Sequence, residues 1–340
     1  MQLVELREGL TEYYRQEYPD YSDISITEIT RMTENWETIV YTYKLGYQRA
    51  DTVFSKALII RLYPGQDGEE KAKKEFNLMA SLMMTTIQVP DPFRLEVRNN
   101  LQLPFVIMEY IKGQLLSIRL RDDTERQNFY LNHFARILAE IHTVDYETMI
   151  SQSTMYQVAD DPYHYLARLL TSFKDLIEIH NKKEFIPVLR WLVERMDTVP
   201  HDKLSLLHGD YHLANVMVDD QDEMYVIDWI DGSIGDYRVD LAWTLIIHET
   251  NISKEVRDII LNYYRAHSPF AVEGIKYFEV LAILRQLLDI SINFTFDNEI
   301  ARLNPSKVNQ IRDNLEPIKR SLGILYGHTK IRLDQFKKML

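Results

Sequence analysis

The feature that most constrains the fold is a change in the spacing of apolar residues near Gly113. Before this residue, short apolar runs separated by polar turns are typical of β-strands. They lie at 24–32, 38–45, 57–63, 93–98 and 102–110. After Gly113, apolar residues recur at the spacing of amphipathic helices. The sequence therefore predicts an α+β fold with a β-rich N-terminal domain, 1–110, and a larger, mostly helical domain, 111–340.

Helices are predicted on both sides of this boundary. Two belong to the first domain, at 2–17 and 68–84. The others are predicted at 125–143, 162–179, 184–196, 236–248, 254–266 and 273–292. One strand-rich stretch, 205–228, interrupts this helical series, and it carries most of the informative residues.

The composition excludes several classes of site. The chain has 340 residues and no cysteine, which rules out disulfides, thiolate metal centres and cysteine nucleophiles. The absence of disulfides is compatible with a reducing cytoplasm. The first eight residues carry acids and do not form a signal peptide, and no run is long enough to span a membrane. We therefore expect a cytoplasmic protein with no membrane partner.

The chain is acidic, with a formal net charge of −12. Residues 305–340 contain eight Lys or Arg and three Asp or Glu, a net charge of +5, so residues 1–304 carry −17. Such a surface repels the nucleic-acid backbone and attracts cationic small molecules. Solubility alone explains the acidity equally well. We expect no nucleic-acid partner.

The segment around 206–229 carries the candidate chemistry. Val216–Val218 and Tyr225–Ile227 are short apolar runs around a polar turn, which predicts a β-hairpin. Pairing about the turn puts Asn215 opposite Asp228, and amide and carboxylate oxygens suit a hard cation such as Mg²⁺. Asp210 lies on the loop that enters the hairpin, where a carboxylate can orient a hydroxyl and accept its proton.

A single charge inside an apolar strand provides a second candidate. Arg61 is the only charged residue of the run ALIIRL. Glu75 flanks the apolar face of the helix that follows. An arginine and glutamate so placed can form the pair that neutralises nucleotide phosphates, or a purely structural ion pair.

Three motifs in order carry a resemblance to a known family. The segment HGDYHLAN, from His208 to Asn215, resembles the catalytic loop His-Gly-Asp-x-x-x-x-Asn of the aminoglycoside phosphotransferase and choline kinase superfamily. Ile227-Asp228-Trp229 and the run GDYRVDLAW at 235–243 resemble that family's metal-binding and post-loop motifs. The resemblance implies a protein-kinase-like fold and ATP-dependent transfer of phosphate to a hydroxyl of a small molecule. It also implies that Asp210 is the catalytic base and that Asn215 and Asp228 bind Mg²⁺.

The same resemblance implies how the nucleotide is bound. Arg61 stands where lysine is commoner, and arginine can also hold phosphate. The stretch 103–113 resembles the hinge whose main chain contacts adenine. The implied nucleotide-binding residues are Arg61, Glu75, Asn35, Thr38, Met108, Glu109 and Ile111. Asn35 stands where related proteins have glycine in the phosphate-covering loop. ATP is the expected donor, and GTP is the alternative.

Other polar residues of the motifs are open to two interpretations. His208 is expected to brace the loop. His212 has a precedent in the family, but an ordinary surface histidine fits equally well. Asp240 opens the apolar run Leu241–Ile247, so we interpret it as a helix cap or an anchor for the loop.

The acceptor is the least constrained part. We expect a hydroxyl-bearing cation, such as an aminoglycoside or an amino alcohol, bound by acids or aromatic rings. The candidates are Asp231, Glu249, Glu279, Asp289 and Trp229, with Trp243 beside them. Each acid can equally be solvated or paired within a helix.

Three alternatives to this function remain. One is a kinase of a neutral acceptor of the macrolide, sugar or homoserine type, and a second is an inactive nucleotide-binding protein. A protein kinase is disfavoured, because only eleven residues separate Asp228 from Asp240. The oligomeric state is open at this stage.

Overall fold

The computed structural model describes residues 3–32, 38–147, 161–200, 203–293 and 314–334. The chain forms two compact units. The first unit is Met1–Gln114 together with Met217–Ile230, and the second is Leu115–Val216 together with Asp231–Leu340. The division into 1–110 and 111–340 that we drew from the sequence does not separate out Met217–Ile230.

The first unit is built on a five-stranded antiparallel sheet. Its strands are β1 (Ser22–Arg31), β2 (Ile39–Arg49), β3 (Thr52–Leu62), β4 (Pro92–Glu96) and β5 (Phe105–Glu109), in the order β1-β2-β3-β5-β4. Helix α1 (Leu3–Glu17) precedes the sheet, and helix α2 (Gly68–Leu82) follows β3. Long, continuous pairing of β2 with β3 fixes the register that places Arg61 opposite Val40.

Alternating burial along β2 shows how one face of this sheet becomes the core. Tyr41, Tyr43 and Leu45 are buried, and they pack in one cluster with Leu6 and Leu10 of α1. Alternate residues of β2 and the apolar side of α1 therefore pack against each other on one face of the sheet. This packing holds the sheet from which Arg61 projects.

A second, small sheet contains the predicted hairpin. Its order is β6-β8-β9, with β6 at Gly113–Leu115, β8 at Val216–Asp219 and β9 at Met224–Val226. A Cβ on Gly113 would lie 2.2 Å from the carbonyl oxygen of Val218, so only glycine allows this approach. The Asp219 carboxylate closes the hairpin turn by accepting hydrogen bonds from the backbone N–H of Gln221 and of Glu223, at 2.8 and 2.9 Å.

The second unit is mostly helical. Its helices are α3 (Leu116–Asp122), α4 (Gln127–Thr143), α5 (Pro162–Ile179), α6 (Ile186–Val193), α7 (Tyr237–Asn251), α8 (Lys254–His267), α9 (Ile275–Asn293) and α10 (Glu316–Thr329). A two-stranded antiparallel sheet joins β7 (Leu204–Leu207) to β10 (Ser233–Asp236). The apolar face of α9 is buried from Tyr277 to Ile292 and packs in one core with residues of α5, α6 and α7.

The predicted α+β class is confirmed, with an N-terminal antiparallel sheet and a mostly helical remainder. The prediction missed β6, α3, β10 and α10. The first three have seven residues or fewer, too few for periodicity to be read, and α10 lies in the basic C-terminal stretch. No helix in the described part of the chain combines the length and apolar character needed to cross a bilayer.

Candidate active site

The first unit brings Arg61, Glu75 and Asp228 together. The Arg61 guanidinium contacts the Glu75 carboxylate of α2, and its Nη2 lies 2.9 Å from Asp228 Oδ1. Both Arg61 and Glu75 are buried. The pair anticipated from the lone charge in β3 is therefore formed, and Asp228 extends it into a three-residue cluster.

The Glu75 carboxylate accepts more than one hydrogen bond. The Tyr63 hydroxyl donates to Oε2 at 2.6 Å, and the backbone N–H of Trp229 donates to Oε1 at 3.2 Å. Burial raises the pKa of Glu75, and Arg61 opposes that rise. Burial also works against the charged form of Arg61, yet Asp228 and Glu75 raise its pKa above the ordinary arginine value. The cluster thus holds a permanent cation between two acids.

Asp228 adopts an unusual backbone conformation at the end of β9. Its φ is +68°, in the left-handed region that aspartate tolerates better than most residues. The turn lets the Asp228 side chain reach Arg61 while the next N–H, of Trp229, reaches Glu75. Strain of this kind concentrates at functional positions.

The second unit contains the predicted catalytic loop, between β7 and the 3₁₀ turn Leu213–Asn215. The backbone N–H groups of His208 and Gly209 donate to the two carboxylate oxygens of Asp240, at 2.8 and 3.0 Å. Burial would raise the pKa of Asp240, but His142 and His208 hold it below the ordinary value. Asp240 is therefore an anchor for the loop. The cap of α7 is Asp236, whose carboxylate accepts from the Arg238 N–H.

One face of α7 holds the loop at three successive points. Asp240, Trp243 and Thr244 stand at positions i, i+3 and i+4, which share a helix face. Asp240 holds the backbone, Trp243 Nε1 donates to Asp210 Oδ1 at 2.7 Å, and the Thr244 hydroxyl donates to the Tyr211 carbonyl at 2.9 Å.

Two loop residues have conformational roles. Gly209 has φ +84°, and a Cβ there would lie 2.6 Å from the carbonyl oxygen of Asp231, so a side chain is doubly excluded. The backbone N–H of Asp210 donates to His208 Nδ1 at 3.1 Å, which is the bracing contact expected of His208.

The Asp210 carboxylate is fixed by partners on both oxygens. Asn215 Nδ2 lies 3.1 Å from Oδ2, and His212 Nε2 lies 3.4 Å from the same oxygen. Burial alone would raise the pKa of Asp210, but His212, Arg285 and the Trp243 hydrogen bond lower it to about 2. At neutral pH the group is therefore an oriented anion that can accept a hydrogen bond from a hydroxyl.

Asn215 is oriented in a way that fits a metal ligand. Its Nδ2 also donates to the Asp210 backbone carbonyl at 2.9 Å, which turns the amide oxygen away from Asp210. In the sequence, Asn215 comes just before the β8–β9 hairpin and Asp228 just after it, and each side chain carries an oxygen atom of the kind that Mg²⁺ prefers. Among the described residues, no group of three or more His, Asp or Glu could hold a metal. An amide oxygen and a carboxylate are donors suited to a Mg²⁺ ion that takes its other ligands from phosphate and water.

The remaining nucleotide-side predictions lie in the first unit. Thr38 is buried, and its hydroxyl has no hydrogen-bond partner in the described part of the chain. Asn35 lies outside the described residues. Met108 and Ile111 are largely buried near the end of β5. The backbone N–H of Glu109 donates to the Asp91 carbonyl at 2.9 Å, so this N–H is already engaged within the first unit.

The candidate acceptor acids divide into two groups. Asp231 Oδ2 lies 3.1 Å from Arg285 Nη2, and Asp289 Oδ2 lies 3.9 Å from Arg285 Nε. Glu249 and Glu279 instead pair with Arg257, in a cluster separate from the Arg285 group. Glu279 is also buried and lies 2.9 Å from His328, as expected of a structural ion cluster.

The interpretation of Trp229 as an acceptor-binding ring is wrong. Its side chain is fully buried, and its indole Nε1 donates to the Val226 carbonyl at 3.1 Å. A ring enclosed in this way has no face for a ligand. The apolar run that precedes Trp229 indicates burial as readily as binding, and burial is the correct reading.

Arg285 was missed by sequence reasoning. It lies on α9, and its Nη1 donates to the Gly209 carbonyl at 2.5 Å. Its guanidinium carbon lies 4.2 Å from the centre of the Trp243 ring. The sequence does contain a pattern that could have identified Arg285, because it is a single cation within an apolar stretch of α9. The same pattern identified Arg61 in β3.

Comparison with known families gives one match over most of the chain. Residues 41–276 match the model of the phosphotransferase enzyme family, APH. The matched range includes the catalytic loop, the hairpin and β3. No curated protein matches the sequence.

Several solved structures share the fold. A candidate aminoglycoside phosphotransferase from Ralstonia eutropha JMP134 has a TM-score of 0.66 at 17% identity, over 97% of this chain and 98% of that one. A thermostable mutant of aminoglycoside phosphotransferase APH(4)-Ia, in ternary complex with AMP-PNP and hygromycin B, has a TM-score of 0.60 at 14% identity, over 92% and 98%. The GDP complex of aminoglycoside 2'-phosphotransferase-IIIa has a TM-score of 0.60 at 16% identity, over 94% and 97%.

Proposed function

The chain belongs to the phosphotransferase enzyme family and is a small-molecule kinase, and from that premise we propose that it transfers the γ-phosphate of ATP to a hydroxyl group of a cationic small molecule. One observation carries the chemical part of this proposal. Trp243 of α7 fixes the Asp210 carboxylate, and on the same short loop Asn215 Nδ2 donates both to that carboxylate and to the Asp210 backbone carbonyl.

Asp210 has the geometry and charge of the group that receives the acceptor hydroxyl. The hydroxyl oxygen forms a bond to the γ-phosphorus. The bond from that phosphorus to the β–γ bridging oxygen breaks, and its electron pair stays on ADP. The hydroxyl proton passes to Asp210. Because the pKa of Asp210 is about 2, its main contribution is to orient the hydroxyl, and it takes the proton late.

Asn215 and Asp228 are the residues that would hold Mg²⁺. A bound Mg²⁺ would neutralise the negative charge that develops on the transferring phosphate. Arg61 would also help to neutralise the phosphate charge, because a buried, permanently charged guanidinium can exchange a carboxylate partner for a phosphate oxygen. The buried Thr38 hydroxyl offers a further donor on this side.

ATP is the proposed donor, with GTP as the alternative. The carbonyl of Glu109 and the backbone of Ile111 supply polar main-chain groups that can contact a purine edge. The similar structures include complexes with AMP-PNP and with GDP, so likeness of fold does not choose between the bases. Direct competition of ATP and GTP in the turnover assay decides this point.

The proposed acceptor carries at least one positive charge beside its hydroxyl. Two half-exposed carboxylates, Asp231 and Asp289, lie in the same unit as Asp210, and each forms an ion pair with Arg285. Asp210, Asp231 and Asp289 carry three negative charges against the one positive charge of Arg285. The net negative charge of these four side chains attracts cations. The strongly acidic residues 1–304 add a long-range field of the same sign.

The function is tested by measuring ADP release from ATP with and without Mg²⁺. The acceptor panel contains aminoglycosides, amino alcohols, neutral sugars, macrolides and homoserine. We expect Mg²⁺-dependent release that rises with a cationic acceptor. Turnover restricted to the uncharged acceptors would contradict the acceptor class and leave the kinase assignment intact. Absence of Mg²⁺-dependent turnover with every acceptor would support an inactive nucleotide-binding protein.

A further inference from the structure

We propose that Trp243, steadied by the stacked guanidinium of Arg285, is a positioning residue that fixes the Asp210 carboxylate for the acceptor hydroxyl. The proposal rests on the function proposed above for Asp210. Neither Trp243 nor Arg285 belongs to the groups that touch phosphate or metal in that scheme, and both act through Asp210.

The contact between Trp243 and Asp210 is short and directional. The indole Nε1 lies 2.7 Å from Asp210 Oδ1, and an indole nitrogen can only donate. A charge-assisted hydrogen bond of this length restricts rotation of the Asp210 carboxylate about its bond to Cβ. The other oxygen, Oδ2, faces Asn215 and His212. The carboxylate is therefore held from both sides, and loss of the indole N–H frees its rotation.

Arg285 holds both the ring and the loop. Its guanidinium carbon lies 4.2 Å from the Trp243 ring centre, within the range of a cation–π contact, while Nη1 donates to the carbonyl of Gly209. Nη2 is paired with Asp231 at 3.1 Å. With its nitrogens engaged in this way, Arg285 serves as a clamp rather than as a receptor for a ligand anion.

A matched pair of the second unit has no contact with the catalytic loop among the residues that the structure describes. Trp191 of α6 carries the guanidinium of Arg195 at 4.7 Å from its ring centre. The ring of Trp191 stacks on Tyr277, and Arg195 bonds to the Trp191 carbonyl. The same substitutions in this pair therefore control for general effects of removing an indole or an arginine from the second unit.

The first test is a double-mutant cycle on turnover, measured as ADP release with the acceptor that gives the highest rate in the panel. Trp243→Phe keeps a ring under Arg285 and removes the N–H. It should lower kcat about tenfold and leave the KM for ATP unchanged. In an Asp210→Asn background, the same substitution should change kcat by less than about twofold, because the effect acts through Asp210.

The control and companion variants define the alternatives. Trp191→Phe and Arg195→Ala should leave kcat unchanged. Arg285→Ala should lower kcat, and Arg285→Lys should recover part of it. Wild-type kcat in Trp243→Phe, or a full additional loss in the Asp210→Asn background, overturns the positioning role. If Asp210→Asn alone retains turnover, the proposed function itself is wrong, so the two failures are distinguishable.

A second test measures the hydrogen bond itself by NMR, and it requires neither turnover nor a variant that is expected to unfold. The chain has four tryptophans, and the indole N–H of Trp243 is assigned in a ¹H–¹⁵N spectrum as the peak absent from Trp243→Phe. We expect that peak to move in Asp210→Asn, while the Trp191 indole peak stays in place. An unchanged Trp243 peak shows that no hydrogen bond joins the two side chains, and it overturns the proposal.

Discussion

The two charged clusters of this protein are stabilised in different ways. In the first unit, Arg61, Glu75 and Asp228 form an ion cluster in which the guanidinium and the glutamate are almost fully buried. In the second unit, Asp210 is about 30% exposed and is fixed by neutral and cationic hydrogen-bond donors. The Arg61 cluster is stabilised by opposite charges that compensate one another away from water. The Asp210 carboxylate is a single, partly exposed charge that is held in one orientation by hydrogen bonds.

The difference has an energetic consequence. Removal of one member of a buried ion pair leaves an uncompensated charge and costs stability first. Removal of a partly exposed, oriented carboxylate leaves the fold intact and costs activity first. Mutation of the nucleotide-side cluster should therefore cost stability first, whereas mutation of Asp210 should cost much more activity than stability.

The largest expected effect is that of Arg61→Ala. It leaves the buried Glu75 without its cation, so the free energy of unfolding should fall by about 3–5 kcal/mol. Addition of Glu75→Gln should restore part of that stability without restoring ATP-dependent turnover, and Arg61→Lys should retain part of both. Urea denaturation and ADP release measure the two quantities separately. Full turnover in the Arg61→Ala, Glu75→Gln protein would make Arg61 structural only.

Asp210→Asn should have the opposite profile. We expect turnover to fall by at least about a hundredfold, whereas the free energy of unfolding near neutral pH should fall by only about 1–2 kcal/mol, because the charge of an oriented, partly exposed group is lost. The exposed Asp175 of α5 offers a control, and Asp175→Asn should leave both quantities unchanged. Near-normal turnover of Asp210→Asn would remove Asp210 from the mechanism.

The pH dependence of stability should distinguish Asp210 from Glu75 by its sign. The pKa of Asp210 is lowered from 3.8 to about 2, so its contribution is present above pH 3.8 and is lost as the pH falls towards 2. Wild type should lose about 1–2 kcal/mol more than Asp210→Asn over that range, after allowance for partial exposure. The pKa of Glu75 is raised by burial, so its effect is to lower stability as pH rises through that pKa.

Unfolding free energies at several pH values check both signs. Glu75→Gln should flatten the loss of stability as the pH rises above the ordinary glutamate range. A steeper acid loss in Asp210→Asn than in wild type would show that Asp210 is not stabilised as an anion.

The smallest expected effects concern the acceptor. With a cationic acceptor, KM should rise with ionic strength, because salt screens attraction to exposed carboxylates. Asp231→Asn should raise KM a few-fold, since an exposed charge contributes about 1 kcal/mol or less. Glu249→Gln, in the separate Arg257 cluster, is the matched control and should leave KM unchanged. Equal shifts in the two variants would point to net charge rather than to a local site.

The parts of the molecule that could be predicted are those that rest on local sequence. Arg61 was found because a lone charge interrupts an apolar strand, and its partner Glu75 lies only 14 residues away. The loop residues Asp210 and Asn215 lie 5 residues apart, and their motif is contiguous. The long helices and the sheet strands were found because periodicity extends over many residues.

The parts that could not be predicted depend on distant contacts. Trp243 reaches Asp210 across 33 residues, and Arg285 reaches Gly209 across 76. No spacing rule connects such positions before the helices are packed. Trp229 shows the converse, since an aromatic residue beside a motif looks functional until its burial is known.

The pairing of Arg61 with Asp228 means that the proposed magnesium ligand already has a counter-ion. A carboxylate reserved for a divalent ion would otherwise repel Glu75 during folding, and the guanidinium removes that penalty. If a magnesium nucleotide binds as proposed, Asp228 would exchange the guanidinium for the metal, and Arg61 would exchange that carboxylate for a phosphate oxygen. Such an exchange would keep the number of close ionic contacts constant, so departure of the nucleotide would leave neither Arg61 nor Asp228 unpaired.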